Sequence, residues 1–445
     1  MTTTPKIIVL DDDPTGSQTV HGCLLLMRWD VDTLRLGLRD SSPIFFVLTN
    51  TRSLTPEDAT AVTKEVCQNL KVAIAAENIQ DFLVVSRSDS TLRGHYPVET
   101  DAIASELGSF DAHFLVPAFF DGGRITRDSI HYLIVDGTPT PVHQTEFARD
   151  SVFAYHHSYL PDYVEEKTDG KITANQVERF LLDDIRNGSL ERLLKLTDNQ
   201  CCVVDGENQT DLNRFAQDIL TAASQGKHFL FRSAASILTA LANLPPQPIS
   251  AENMAEYVRD GKPGAVIVGS HVKKTTQQLE KLLEAEGTEG IAVDVSELLG
   301  EGSDLSATLL SKVMKQIEEA YNAGNTPVIY TSRKEINFED IKTRLDFGTQ
   351  VSNLLMDIVR GLPSDIGFLI SKGGITSNDV LSNGLALTSA RLLGQILAGC
   401  SMVITSSEHP QFPNLPVVLF PGNVGDESAL ATVYQRLVKT VNSKQ

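Results

Sequence analysis

Phe82-Leu83-Val84-Val85-Ser86-Arg87-Ser88-Asp89-Ser90-Thr91-Leu92-Arg93-Gly94 joins an unbroken apolar run to a turn crowded with arginine, carboxylate and hydroxyl groups. A short continuous run of Phe, Leu and Val bounded by polar residues is the pattern of a strand buried on both faces, as in a parallel sheet. In open α/β sheets ligands collect outside the carboxyl ends of strands, and arginine offers a planar fork to a carboxylate or phosphate. The stretch therefore reads as a seat for a small oxygen-rich anion. The plainer reading is a polar loop whose arginines pair with surface acids. Clusters of the same kind at several other strand ends favour the first.

Upstream, the apolar residues 6–10 stop at Asp11-Asp12-Asp13-Pro14-Thr15-Gly16-Ser17, a plausible turn because Pro14 fixes its own φ and Gly16 permits φ > 0. The run 44–48 closes with Thr49-Asn50-Thr51-Arg52. A helix is predicted next, with Thr55 as cap, Pro56 at its first position, Glu57 and Asp58 in its first turn, and Val62, Val66, Leu70 and Ile74 along one face. Strand, helix, strand repeats through 82–85 and 114–116, the order of parallel βαβ units. After Pro117-Ala118-Phe119-Phe120-Asp121-Gly122-Gly123-Arg124 the pattern loosens, and residues 128–163 read as long loops rich in His and aromatics. Such loops serve as lids, site walls or oligomer contacts, and a homodimer is among the uses open to them.

Residues 203–205 and 229–232 restore the strand pattern, the first ending in Asp205-Gly206 and the second in Arg232-Ser233. Residues 244–264, carrying Pro245, Pro246, Pro248, Gly261, Pro263 and Gly264, read as a linker. A second α/β series follows. Its strands, at 265–268, 291–295, 327–330, 367–370, 402–405 and 417–420, alternate with helices predicted to be capped by Thr275 and Ser306. Residues 386–397 fit helix or strand equally well.

A chain of 445 residues is too long for one ordinary core. The fold class expected is α/β, with two α/β domains, each a mainly parallel sheet flanked by helices. The N-terminal domain is placed at 1–243, the linker at 244–264 and the C-terminal domain at 265–445. Apolar residues at 41% and charged residues at 21% describe an ordinary globular protein rather than a disordered one. No apolar run approaches the roughly 20 residues of a membrane span, and Met1-Thr2-Thr3-Thr4-Pro5-Lys6 lacks a signal-peptide pattern, so a cytoplasmic location and no membrane partner are expected. A formal charge of −19 argues against nucleic acid, which needs a basic footprint. It does not forbid a small anion, because screening confines distant charges to about 8 to 10 Å. The five cysteines have no metal-site spacing and read as reduced thiols, and His156-His157 has no partner at zinc-ligand spacing.

The chemistry divides between the halves. Asp12, Asp13 and Asp89 can act as general bases on a hydroxyl, and Arg52, Arg87, Arg93 and Arg124 can hold a carboxylate. Turn capping is the competing use of the aspartates, although it explains a run of three less easily. In the second half, Gly373-Gly374-Ile375-Thr376-Ser377 follows a strand where backbone N–H groups favour a phosphate. Gly269-Ser270 and Gly422-Asn423-Val424-Gly425 occupy the same place after two other strands. The segment is neither a Walker A loop nor a GxGxxG fingerprint, which argues against a dinucleotide-dependent dehydrogenase. These glycines can also serve only as tight strand-to-helix turns.

Over nearly its whole length the chain resembles the four-carbon acid sugar kinase family. Asp12-Asp13-Pro14-Thr15-Gly16 is similar to the family's Asp-Asp-x-Thr-Gly, and Asp89-Ser90-Thr91-Leu92-Arg93-Gly94 matches its most specific motif. Pro117-Ala118-Phe119 with Gly123-Arg124 resembles its Pro-Ala-Phe/Gly-Arg segment. Gly269-Ser270, Gly373-Gly374 with Thr376, and Gly422 with Gly425 are similar to its nucleotide-binding turns. Ile375 stands where the family usually has an acidic residue, and Arg87 where Lys is frequent. The resemblance implies an active site in the cleft between two domains, where a threonate, erythronate or 3-oxo-tetronate is phosphorylated on its 4-hydroxyl by ATP with Mg²⁺. It implies catalytic roles for Asp13, Asp12 and Asp89, and sugar-acid contacts from Thr15, Arg52, Arg87, Ser90, Thr91, Arg93, Gly94 and Arg124. Nucleotide contacts are implied for Ser270, Gly373, Gly374, Ile375, Thr376, Gly422 and Gly425. The rival is a non-catalytic sugar-acid sensor of the same fold, against which speak the acids and the glycine turns together.

Overall fold

In the computed structural model, the structure describes residues 5–270, 272–300, 304–332, 338, 341–422 and 424–439. Of the predicted turns, His271 and Asn423 lie outside the described residues. The chain forms two compact units, residues 1–245 and 246–445.

The strands of the first unit are β1 (Lys6–Asp11), β2 (Leu24–Leu26), β3 (Ile44–Leu48), β4 (Phe82–Arg87), β5 (Ala112–Val116), β6 (Arg124–Arg127), β7 (Ile130–Val135), β8 (Thr138–Pro141), β9 (Glu178–Phe180), β10 (Gln200–Val204) and β11 (Phe229–Ser233). Eight of them form a parallel sheet in the order β2-β3-β1-β4-β11-β5-β10-β9. Continuous Ile, Val, Leu and Phe runs suit these strands because helices cover both faces. One such helix, Pro56–Glu77, starts as predicted: Thr55 Oγ1 accepts from Asp58 N at 3.2 Å, and Val66 and Leu70 are buried against the sheet. The chain runs from β1 to β3 on one side and returns to β4 on the other, which makes the β1/β4 boundary the topological switch point. The register sets Asp11 beside Arg87, and Arg87 beside Ser233, at the carboxyl ends of β1, β4 and β11.

Residues 128–163, expected from sequence to be long loops, carry regular structure. β6, β7 and β8 form a separate antiparallel sheet, and a helix spans Leu160–Lys167. The strand pattern is hidden in the sequence because β8 is Thr-Pro-Thr-Pro and β7 is only partly buried, which blurs the apolar alternation.

In the second unit the strands are β12 (Ala265–Val268), β13 (Thr288–Val293), β14 (Thr326–Thr331), β15 (Leu369–Lys372), β16 (Ser389–Leu397), β17 (Cys400–Ile404) and β18 (Pro416–Phe420), in the order β13-β14-β12-β15-β18-β17-β16. The first five in that order are parallel, whereas β17 and β16 continue the sheet antiparallel. Residues 389–397 are thus strand. Two caps differ from expectation: one helix starts at Lys273 after Val272, leaving Thr275 buried inside it, and the other starts at Leu305 after Asp304. The segment read as linker contains 3-10 turns at Ala251–Tyr257 and Arg259–Gly261, with Met254 buried in the second core.

Candidate active site

Asp11, the last residue of β1, is fully buried, and burial above all pushes its carboxyl up to about 8. A β-carbon on Gly16 would overlap Asp11 Oδ1, so glycine is required there for close approach rather than for a positive φ. Asp12 is gripped by Arg52 through two prongs, Nε to Oδ2 at 3.1 Å and Nη2 to Oδ1, and Ser88 Oγ donates to its Oδ2 at 2.7 Å. The backbone joins the same groups: Asp12 N donates to Arg87 O at 3.3 Å and Arg52 N to Asp12 O at 3.3 Å. Asp13 Oδ1 accepts from Thr15 N at 2.8 Å and from Thr15 Oγ1, while its Oδ2 meets Arg52 Nη1 only at 3.4 Å. Burial opposes ionisation of Asp13, but Arg52, Thr15 and Arg87 outweigh it and hold the carboxyl below its ordinary range.

The turn after β4 adds the second group. Asp89 Oδ2 accepts from Arg93 Nε at 2.8 Å and from Thr91 Oγ1. Burial works against its charge, yet Arg93, Arg52 and Thr91 hold it well below the usual carboxylate range. Arg93 also reaches Asp150 at 3.5 Å and lies 5.0 Å over the Phe147 ring. Gly94, at φ +120°, runs so close to the cluster that a β-carbon would clash with Ser88 Oγ and sit 2.7 Å from Arg232 Nη2. Ser88, Asp89, Arg93, Tyr163, Arg232 and Ser233 contribute to the lining of a small, partly open pocket.

The structure thus brings Asp12, Asp13, Thr15, Arg52 and Arg87 into one network, and Asp89, Thr91 and Arg93 into another, with Gly94 against the first. Arg52, Arg87 and Arg93 each face an aspartate. Arg124 differs: it donates to Gly122 O, its guanidinium lies 6.0 Å from the Phe119 ring, and its buried Nε has no hydrogen-bond partner among the described residues. Burial lowers its pKa, Asp89 partly opposing. Ser90 is buried and turns its carbonyl to His131. Sequence reasoning missed Arg232, which donates to Ser86 Oγ and Ser88 Oγ at 2.8 Å each and pairs with buried Glu99. Its signal was present, an arginine closing an apolar strand one place from β4.

In the second unit, Gly373 carries φ +117° and Gly374 opens the short helix Gly374–Asp379. The turns after β12 and β15 touch: a β-carbon on Gly269 would clash with Thr376 Oγ1, and one on Gly373 would lie 3.5 Å from Ser270 Cβ. Ser377 Oγ meets Ser371 Oγ at 2.8 Å below the turn, whereas Ile375 is 71% exposed. The turn after β18 is open at Gly422, where a β-carbon would meet nothing within 4 Å among the described residues, and Gly425 has φ +76°. Buried Lys372, also missed from sequence, ties two of these turns together. Its Nζ donates to Pro421 O at 2.6 Å and Gly422 O at 3.1 Å and lies 4.5 Å over the Phe420 ring. Burial pulls its pKa down to about 7. Among the described residues no three His, Cys, Asp or Glu side chains converge to hold a metal, and no helix is long and apolar enough to cross a membrane.

Comparison with known proteins matches residues 7–241 to a sugar-binding N-terminal domain and residues 265–430 to a nucleotide-binding C-terminal domain. The chain is 25% identical to a D-erythronate kinase of Heliobacterium modesticaldum over 99% of its own length and 98% of the relative's. It is 28% identical to a D-threonate kinase of Bordetella bronchiseptica over 35% of this chain and 38% of that one. A crystal structure from Salmonella typhimurium LT2, provisionally described as a tRNA synthase, superimposes with a TM-score of 0.69 over 97% of this chain and 98% of that one. At 18% identity that likeness concerns the fold alone. With both family domains matched in order around the clusters just described, the chain belongs to the four-carbon acid sugar kinase family, a family of phosphotransferases.

Proposed function

We propose that this enzyme transfers the γ-phosphoryl group of ATP to the 4-hydroxyl of a four-carbon sugar acid such as threonate, erythronate or 3-oxo-tetronate. The observation that carries the reading is Asp13, an ionised carboxylate whose Oδ2 is held only by a 3.4 Å contact inside an otherwise tightly paired strand-end cluster. A base must be within hydrogen-bond reach of the proton it takes, and that oxygen is held loosely enough to accept it.

In this reading Arg124, unpaired with any carboxylate among the described residues, and the outer arm of Arg93 receive the substrate carboxylate. Thr15 orients Asp13 through its N–H and hydroxyl. The backbone N–H of Gly374, at the start of the short helix, with the hydroxyls of Thr376 and Ser270, receives the phosphates, whereas that of Gly373 is given to Phe420 O at 2.8 Å. Gly422 leaves room beside them, whereas Gly425 is closed against Ala429 and serves the turn itself. The sugar hydroxyl attacks the γ-phosphorus, its proton passes to Asp13 Oδ2, and ADP leaves. Mg²⁺ would neutralise phosphate charge and would ask only one or two carboxylates of the protein; with Asp12 taken by Arg52 and Asp13 Oδ2 serving the proton, Asp89 Oδ1, which accepts no hydrogen bond among the described residues, is the oxygen that would hold it. The chain's own part is to position and to desolvate.

A coupled ADP-release assay across D- and L-threonate, D- and L-erythronate and 3-oxo-tetronate tests the proposal. Turnover of at least one acid is expected. Calorimetric binding of an acid without ADP release from any would replace the kinase reading with that of a sensor.

A further inference from the structure

We propose that residues 126–163 are the element that sets sugar-acid selectivity, because they hold the 89–93 turn by its backbone and aim the Arg93 guanidinium. The inference rests on the assignment of that turn to the sugar acid. Three consecutive carbonyls of the turn each accept a side-chain hydrogen bond. Ser90 O receives His131 Nε2 at 2.8 Å, Thr91 O the Tyr155 hydroxyl at 2.7 Å, and Leu92 O the Tyr163 hydroxyl at 2.8 Å. All three donors come from the segment whose sequence reads as loops.

The hold is needed because the turn is not one the chain adopts freely. Leu92 has φ +67°, a region that a β-carbon resists, and its side chain is buried with Tyr96, Tyr155, Leu160, Tyr163 and Val164. The donors keep their protons across the working pH range. Burial raises both tyrosine hydroxyls above their ordinary pKa and lowers His131 to about 4. In the neutral imidazole, Thr126 Oγ1 at 2.9 Å from Nδ1 donates there, which leaves the proton on Nε2 for Ser90.

The same segment reaches the guanidinium itself. Phe147 lies 5.0 Å beneath Arg93, and Asp150 Oδ2 stands 3.5 Å from its Nη1, opposite the 2.8 Å bond from Nε to Asp89. The direction in which Arg93 presents its free edge is therefore set by one acid within the motif and two side chains outside it. Epimeric four-carbon acids differ in where their hydroxyls fall relative to the carboxylate, so a change in this direction alters which epimer fits. Packing alone would not need the hydroxyls, since Phe fills the same space as Tyr.

The experiment uses the full chain with Tyr155→Phe/Tyr163→Phe and, separately, Asp150→Asn. Steady-state kinetics are measured for each epimeric acid and for the nucleotide, with amide hydrogen exchange over residues 88–94. For the double variant we expect faster exchange in that turn, a KM for the preferred acid raised about tenfold, and a preference between epimers reduced by roughly threefold or more, with the nucleotide KM unchanged. Asp150→Asn is expected to shift the epimer preference without changing exchange. Faster exchange with unchanged preference would make the segment a support only, and unchanged exchange in the double variant would remove the clamp; either overturns the proposal. Wild-type enzyme inactive on every acid would overturn the functional reading on which it rests.

Discussion

Asp13 differs from Asp12 in what its oxygens touch and from Asp89 in how firmly arginine holds its charge, and those differences decide which of them can take a proton. Both oxygens of Asp12 are occupied by Arg52, and its side chain is 2% exposed. Asp89 gives only Oδ2 to Arg93 and Thr91, but Arg93 and Arg52 outweigh its burial and hold its charge well below the usual carboxylate range, which makes it a poor acceptor of a proton. Asp13 keeps one loosely held oxygen and is 21% exposed. Asp13→Asn should therefore lower kcat by about 10²- to 10⁴-fold while calorimetry shows nucleotide binding intact. Undiminished turnover would shift the role to another aspartate. Asp11 serves a different end. Its carboxyl is raised to about 8 in the folded chain against an ordinary 3.8, so the folded state holds a proton that the unfolded state releases between those values. The stability this contributes is present below the unfolded pKa and is lost as pH rises through 8. Arg87, Asp12, Asp13 and Arg52 all face it, so the test is a difference: chemical denaturation of wild type and Asp11→Asn from pH 5 to 9. Wild type should lose ground relative to the variant as pH rises, and parallel curves would mean that Asp11 is ionised in the fold. A run of three acids after a strand announced this corner from sequence. Which acid is buried, which paired and which free was not legible, because the partners lie 40 and 76 residues away.

At the scale of elements, parallel strands were legible because a strand buried on both faces is apolar at every position, and the Thr55-Pro56 start was legible because its chemistry is local. Thr275 and Ser306 misled because a hydroxyl near a helix start need not be its cap; Thr275 is buried inside the first turn. Lys372 escaped notice because lysine at a strand end normally reaches water, and only the fold shows it turned onto two carbonyls. The Gly373-Gly374 pair was visible, but not which of the two bears the positive φ. Since it is Gly373, Gly373→Ala forces a β-carbon into φ +117° and to 3.3 Å from Thr376 Oγ1. A residue held in such a region costs about 1 to 3 kcal/mol, so the variant should melt lower yet remain folded. Nucleotide affinity should fall more than about tenfold if the adjoining Gly374 N–H receives phosphate, with sugar-acid affinity kept. Circular dichroism and calorimetry on one sample separate the effects, and a folded variant binding nucleotide normally would remove the phosphate role from this turn.

Each unit has apolar clusters of its own among the described residues, around Val66 and Leu70 in the first and around Val266 and Ile370 in the second. The switch-point cluster belongs entirely to the first and the glycine turns entirely to the second. If the ligands divide in the same way, each should stabilise the unit that binds it, because a ligand that binds only the folded form shifts its unfolding by mass action. At a concentration about a hundred times Kd the shift is about 2.7 kcal/mol, which for a domain of about 150–250 residues corresponds to roughly 5 to 10 °C. Scanning calorimetry of the full chain should then resolve two transitions, one raised by the sugar acid and the other by the nucleotide. Asp13→Asn provides the internal control, since it should leave the nucleotide-sensitive transition where it was. A single transition that either ligand moves equally would show that the chain unfolds as one unit, and the assignment of ligands to units would then need the separate affinities of the Arg93→Lys and Gly373→Ala variants. Arg93→Lys carries that discrimination because an ammonium cannot reproduce a bidentate fork on a carboxylate, so it should weaken the sugar acid and spare the nucleotide. Equal weakening of both ligands by Arg93→Lys would overturn the division itself.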